Sequence, residues 1–198
     1  MKRSLVLTAG LLLAGAATAH PGHADAHLPT ALAAFTGLTH PLGADHLLAM
    51  LAVGLWSAAA LPATQRLRGP AAFLLALLVG AVAGRMAGAP ALVEAGIVGS
   101  VVLFGVMLMA PRLLPGARGV ALVAGAGLLH GLAHGAEGPA GPAFMAYAAG
   151  FLASTTLLHA AGLALGQRLH TLPQQLTVWA QRLIGGALGL GGLALWLA

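Results

Sequence analysis

Residues 40–56 read His40-Pro41-Leu42-Gly43-Ala44-Asp45-His46-Leu47-Leu48-Ala49-Met50-Leu51-Ala52-Val53-Gly54-Leu55-Trp56. Two histidines and an aspartate stand beside an apolar run of the kind that lies in a membrane. An ionisable side chain in hydrocarbon costs a few kcal/mol or more, so such groups persist where they face a site or a water-filled path. Pro41 disfavours helix at the residue before it and Gly43 is permissive, which predicts a helix broken near Pro41–Gly43. Broken helices free backbone groups, and membrane transporters place ion sites at such breaks. From His46 the helix resumes and Met50 falls on the same face one turn later. The stretch therefore reads as a divalent metal site in a transport path. A plainer reading has Asp45 capping the resumed helix and His46 bonded to a buried carbonyl; it explains the aspartate but not three polar groups together.

Composition supports a membrane setting. The chain is 59% hydrophobic and 7% charged, with a mean hydropathy of +0.93, too apolar for a soluble domain of 198 residues. Long apolar stretches punctuated by Pro, Gly and Arg favour helices over a barrel of alternating strands. The formal charge of +5 would suggest nucleic acid in a soluble chain, but the basic residues sit singly between spans and read as topology, so no nucleic-acid partner is expected. With no cysteine there are no disulfides, thiolate nucleophiles or sulfur-rich metal sites, which leaves His, carboxylate and Met as ligands. Lys2 is the only lysine, so a phosphate-binding Walker loop is excluded.

Residues 1–19 carry a basic start at Lys2 and Arg3, an apolar core from Leu5 to Ala14, and Ala17-Thr18-Ala19 as a cleavage pattern. They predict a secretory signal peptide and a mature chain beginning at His20. Residues 20–29 are too short and polar to span. Within them His23, Asp25 and His27 alternate as a loose cation-capturing segment, or as a solvated linker.

Residues 30–198 then divide into six apolar segments, approximately 30–61, 70–89, 91–110, 119–136, 142–166 and 177–197. The expected fold is an all-α integral membrane protein, a bundle of six transmembrane helices with its first span broken. An exported N-terminus puts Arg66, Arg68, Arg112, Arg118 and Arg168 in cytoplasmic loops, as the positive-inside rule requires, with both mature termini outside. Small residues recur four apart at Gly80, Gly84 and Gly88, at Gly127, Gly131 and Gly135, and at Gly185 and Gly189. Such rows let helix backbones approach closely, within one bundle or between copies in a homo-oligomer.

A second polar cluster closes the fourth segment. At 100° per residue, His130 and His134 lie about 40° apart and Glu137 about 20° to the other side of His130, all on one face. Two imidazoles one turn apart with a carboxylate one turn on have ligand spacing for Zn, Ni or Co. This segment runs outward, so the cluster lies at the same end as His40, Asp45 and His46, and the two can meet. His159 stands alone in the fifth segment beside Ser154, Thr155 and Thr156, either bonded to a neighbouring helix or forming a second, exit-side station. His170 is expected in a solvated loop, and Arg85 and Glu94 flank one outer turn and are expected to pair.

The signal peptide, the His-Pro-x-Gly-x-Asp-His-x-x-x-Met-x-x-Val-Gly-Leu-Trp run at 40–56 and the His-Gly-x-x-His-Gly-x-Glu run at 130–137 together resemble the HupE/UreJ family over essentially the whole chain. The resemblance implies a bacterial inner-membrane nickel or cobalt permease supplying hydrogenase or urease. It also implies metal-site residues His40, Asp45, His46, His130, His134 and Glu137. In the family pattern five residues usually separate the first His from Asp-His, whereas here four do. In an unbroken helix that spacing leaves His40 and His46 about 120° apart. His40 joins the site only if the Pro41–Gly43 segment is irregular.

The mechanism expected is passive or facilitated entry of Ni²⁺ or Co²⁺ as substrate, with no prosthetic group and with the lipid bilayer as the other partner. A dication gains about 4.6 kcal/mol on entry at 100 mV, negative inside. Neutral imidazole is the ligand form, so uptake is expected to weaken as pH falls through the ordinary histidine range. The competing readings are a zinc-dependent membrane hydrolase using the same His/Asp/Glu cluster and a haem-binding electron carrier. His130-Gly-Leu-Ala-His134 lacks the Glu of a zincin helix, though Glu137 remains available as a base.

Overall fold

The computed structural model describes residues 29–114 and 116–197. The expected signal peptide and the segment bearing His23, Asp25 and His27 lie outside the described residues. Regular structure among those residues is helical: α1 (Thr30–Thr39), α2 (Ala44–Ala60), α3 (Arg68–Ala87), α4 (Val93–Met109), α5 (Ala117–Glu137), α6 (Ala143–Leu169) and α7 (Gln174–Leu197).

The first apolar segment is broken where proline and glycine predict. After Thr39 the chain makes a single 3₁₀ turn over His40–Leu42, and Gly43 is extended at φ −57°, ψ 146° before α2 begins. As a result α1 and α2 meet at 69°. Gly43 is the N-cap of α2, so Asp45 sits at the second helical position, where a carboxylate complements the positive end of the helix dipole.

Four helical stretches are long and apolar enough to cross a bilayer, and the bent pair α1–α2 makes a fifth if taken as one span. The third expected segment, α4, is shorter. It follows Pro90 and ends at Met109; its C-cap Ala110 precedes Pro111 and leaves helical geometry at φ −137°, ψ 65°. Its 17 residues rise about 26 Å, a little under the ~30 Å hydrocarbon core.

Four helix pairs dominate the packing, α3 with α5, α4 with α7, and α6 with each of α1 and α2. Their intimacy follows from the small residues. A Cβ at Gly80 or Gly84 would run into α5 backbone, and one at Gly127, Gly131 or Gly135 would run into α3 backbone, while Gly185 lies against Gly105. These rows are filled within the chain. Gly88 is different: it adopts φ +78° at the C-cap of α3 with open space around it, and so ends the helix rather than packing it. Trp56, Phe73, Phe104 and Met50 are fully buried at the centre.

The connections after α2, α4 and α6 converge on one end, where Ala59, Arg112, His170 and Arg182 line a cavity of about 530 Å³. At the other end the Arg85 guanidinium donates to the Gly138 carbonyl and lies 5.2 Å over the Phe144 ring, tying α3 to the α5–α6 turn.

Candidate metal centre

The helix break and the α5 histidine row converge on one point. His40 in the 3₁₀ turn, His46 in the first turns of α2 and His134 near the end of α5 each offer a ring nitrogen, and these nitrogens all lie within 4.8 Å of one another. The His46 and His134 Nε2 atoms are 2.8 Å apart. Two ligands each 2.0–2.1 Å from a shared ion, at 90–110°, stand about 3 Å apart, so this pair already has the separation a divalent cation requires. The His40 ring stands nearly perpendicular to both, with centroids 5.1 Å from His46 and 4.7 Å from His134. The irregular Pro41–Gly43 segment absorbs the shortened spacing and brings His40 to the cluster.

Hydrogen-bond logic fixes how the rings are held. Asp45 Oδ1 lies 2.9 Å from His46 Nδ1, close but poorly aligned for a hydrogen bond, and a carboxylate there favours the proton on Nδ1 and the lone pair on Nε2. The Tyr147 hydroxyl lies 3.4 Å from His134 Nδ1. With that tautomer of His46, the 2.8 Å contact requires His134 Nε2–H as donor, and the Tyr147 hydroxyl is then the donor to His134 Nδ1. For both Nε2 atoms to face a cation, the His134 proton must move to Nδ1, and the Tyr147 hydroxyl can then accept it, because a hydroxyl serves either role.

An apolar floor closes the site. The Phe151 ring is 4.2 Å from the His134 ring and 5.9 Å from His40. His46 and His134 are buried at 2% and 6% exposure, and His40 is half-buried, which leaves it nearest the outside. With imidazole donors and no sulfur, the set suits borderline divalent ions such as Ni²⁺, Co²⁺ and Zn²⁺.

The other predicted residues take different places. Asp45 is beside His46 rather than among the three converging nitrogens. His130 lies one turn deeper on α5, its ring 4.9 Å from that of His46 and its Nε2 3.4 Å from Ser100 Oγ. Glu137 is exposed at the last residue of α5. Met50 is fully buried in the apolar core. His159 is buried on α6, its Nδ1–H donating at 2.9 Å to the Thr155 carbonyl of its own helix rather than to a neighbouring helix. Sequence reasoning missed Tyr147, Phe151 and Ser100. Tyr147 is the chain's single tyrosine, a signal that was available; nothing in the sequence separates Phe151 from other core aromatics.

The family model described as "HupE / UreJ protein" matches residues 7–195. The chain is 36% identical over 199 residues to "Protein HupE" of Rhizobium leguminosarum bv. viciae, with 98% of each sequence covered. No solved structure matches. On the family match and the full-length relative, the chain belongs to the HupE/UreJ family.

Proposed function

We propose that the protein is a permease of the bacterial inner membrane for uptake of Ni²⁺ or Co²⁺, supplying metal for the maturation of enzymes such as hydrogenase or urease. The observation that carries the reading is the convergence of His40, His46 and His134 at a helix break within an apolar bundle. A resident structural metal would not need a half-buried ligand at the rim and further imidazoles beneath it, whereas a transported ion does.

In this reading the bent pair α1–α2 and the short α4 each count as spans, giving six, and the arginine-bearing loops face the cytoplasm with both mature termini periplasmic. His40 meets the ion first, His46 and His134 replace part of its water, and Asp45 and Tyr147 hold the ring protons away from it. Asp45 supplies negative charge beside the site, and Glu137 supplies it at the rim. The membrane potential contributes about 4.6 kcal/mol per dication at 100 mV, enough to drive entry without ATP.

The test is uptake of radiolabelled Ni²⁺ into proteoliposomes holding the full chain, with Co²⁺ and Zn²⁺ as competitors and an inside-negative potential imposed. Saturable uptake that Co²⁺ competes and the potential accelerates is expected. Metal binding without uptake would overturn the transport reading and favour a membrane metalloenzyme.

A further inference from the structure

Two buried imidazoles lie outside the three-histidine cluster, and each is held in one tautomer. His130 is fully buried, with Nε2 3.4 Å from Ser100 Oγ. Ser100 gives its own proton to the Ile97 carbonyl at 2.6 Å, so the imidazole is the donor and its lone pair sits on Nδ1. Nδ1 is buried without a hydrogen-bond partner. His159 repeats the arrangement in mirror form: Nδ1–H donates to the Thr155 carbonyl at 2.9 Å, which leaves the lone pair on Nε2, and Nε2 is buried and unpartnered. A buried acceptor left unpaired is costly, and an imidazole whose proton is anchored on one nitrogen is the form that binds metal with the other.

The two histidines are ordered in depth. His130 is one turn from His134 toward the arginine-bearing end, about 6 Å along α5. His159 is eight residues beyond Phe151, the floor of the cluster, and so about 12 Å deeper along α6. Between them stands Phe73 of α3, fully buried, its ring centroid 5.3 Å from that of His130 and 5.0 Å from that of His159. One phenyl ring thus touches both imidazoles.

We infer that the transported dication passes from His130, already among the implied metal-site residues, to a further inner station at His159, and that the Phe73 ring is the gate between them. The inference rests on the transport reading above and adds where the ion goes after it leaves His46 and His134. Conduction needs several weak sites rather than one tight one, and an apolar constriction between sites blocks passage until it moves. A displaced phenyl ring also offers its π face to a passing cation. Phe73 is therefore a gating residue, and His130 and His159 each supply one nitrogen to a partly hydrated ion.

The test uses the full chain with two readouts for every variant, Ni²⁺ binding in detergent and initial Ni²⁺ uptake into proteoliposomes. His159→Leu is expected to bind Ni²⁺ at the outer cluster with the wild-type affinity, because that cluster is intact, and to lose about tenfold or more in uptake, at least what removing a group that merely orients a ligand costs. Phe73→Leu should bind normally and take up Ni²⁺ several-fold faster. Phe73→Tyr, which keeps the ring and enlarges it by a hydroxyl in a fully packed position, should bind normally and take up Ni²⁺ more slowly. The two Phe73 changes thus move uptake in opposite directions, and the binding readout reports that each variant is folded. Should Phe73→Leu lose binding through misfolding, His159→Leu and Phe73→Tyr decide the matter between them. Wild-type uptake in both of these overturns the inference and leaves the transport reading standing. Absent uptake by the wild-type chain would instead overturn the transport reading.

Discussion

His46 and His134, 88 positions apart in the chain, bring their Nε2 atoms to 2.8 Å, the separation of two ligands on one small cation. Substituting either by alanine removes half of that pair and is expected to lower Ni²⁺ affinity by about 10- to 100-fold. The double variant should be no worse than about twofold below the weaker single one, because the residues act as a unit. Isothermal titration in detergent reads both values, and full additivity of the two losses would show that the histidines bind independently.

Asp45 and Tyr147 set the ring protons of this pair from opposite sides, so each should affect affinity without touching the ion. Asp45→Asn keeps size and removes the carboxylate facing His46 Nδ1; about tenfold weaker binding is expected. Tyr147→Phe removes the hydroxyl that must accept the His134 proton, and a loss of similar size is expected with the helical circular dichroism unchanged. Undiminished titration curves for both would mean that the ring orientations are set by packing alone.

Pro41→Ala tests the helix break. Without proline the chain can run on as one helix, which turns His40 about 120° away from His46. Affinity should then fall to that of His40→Ala, and the double variant Pro41→Ala/His40→Ala should add nothing further. A Pro41→Ala protein with wild-type affinity would show that Gly43 suffices to hold the bend.

Two glycines of one helix should respond oppositely to a methyl group. Gly131 abuts the Leu77 carbonyl on α3, and Gly131→Ala is expected to cost about 1–3 kcal/mol by overpacking. Gly125 on the same helix has open space, and Gly125→Ala should gain up to about 1 kcal/mol from helix propensity. Thermal unfolding in detergent should move down for the first and up for the second. Equal shifts would mean that the α3–α5 contact is looser than these glycines imply.

The sequence made the helices and the break legible because hydropathy, proline and glycine act locally. Pro41 and Gly43 predict a bend whatever surrounds them, and the bend is there. Periodicity likewise placed His130 and His134 on one face of α5. It did not distinguish their neighbours: both rings stand beside His46, but one helical turn of rise, about 5.4 Å, gives His134 the further company of His40 and gives His130 that of Ser100 and Phe73. Glu137 shares that face but stands exposed at the helix end, where angular position says nothing about depth. Phe73, Phe151 and Tyr147 acquire their roles from tertiary contacts to α5 and α6 that no local pattern carries. Span length was the least legible feature, since apolar runs do not show where Pro90 and Pro111 trim α4.

X-ray absorption at the nickel edge of the Ni²⁺-loaded protein reads whether His46 and His134 share one divalent ion. Two or three imidazole nitrogens at about 2.0–2.1 Å from the nickel are expected. That imidazole count should drop by one in His46→Ala and again in His46→Ala/His134→Ala. A shell of water and carboxylate oxygens only, or one unchanged in the double variant, would contradict a shared ion.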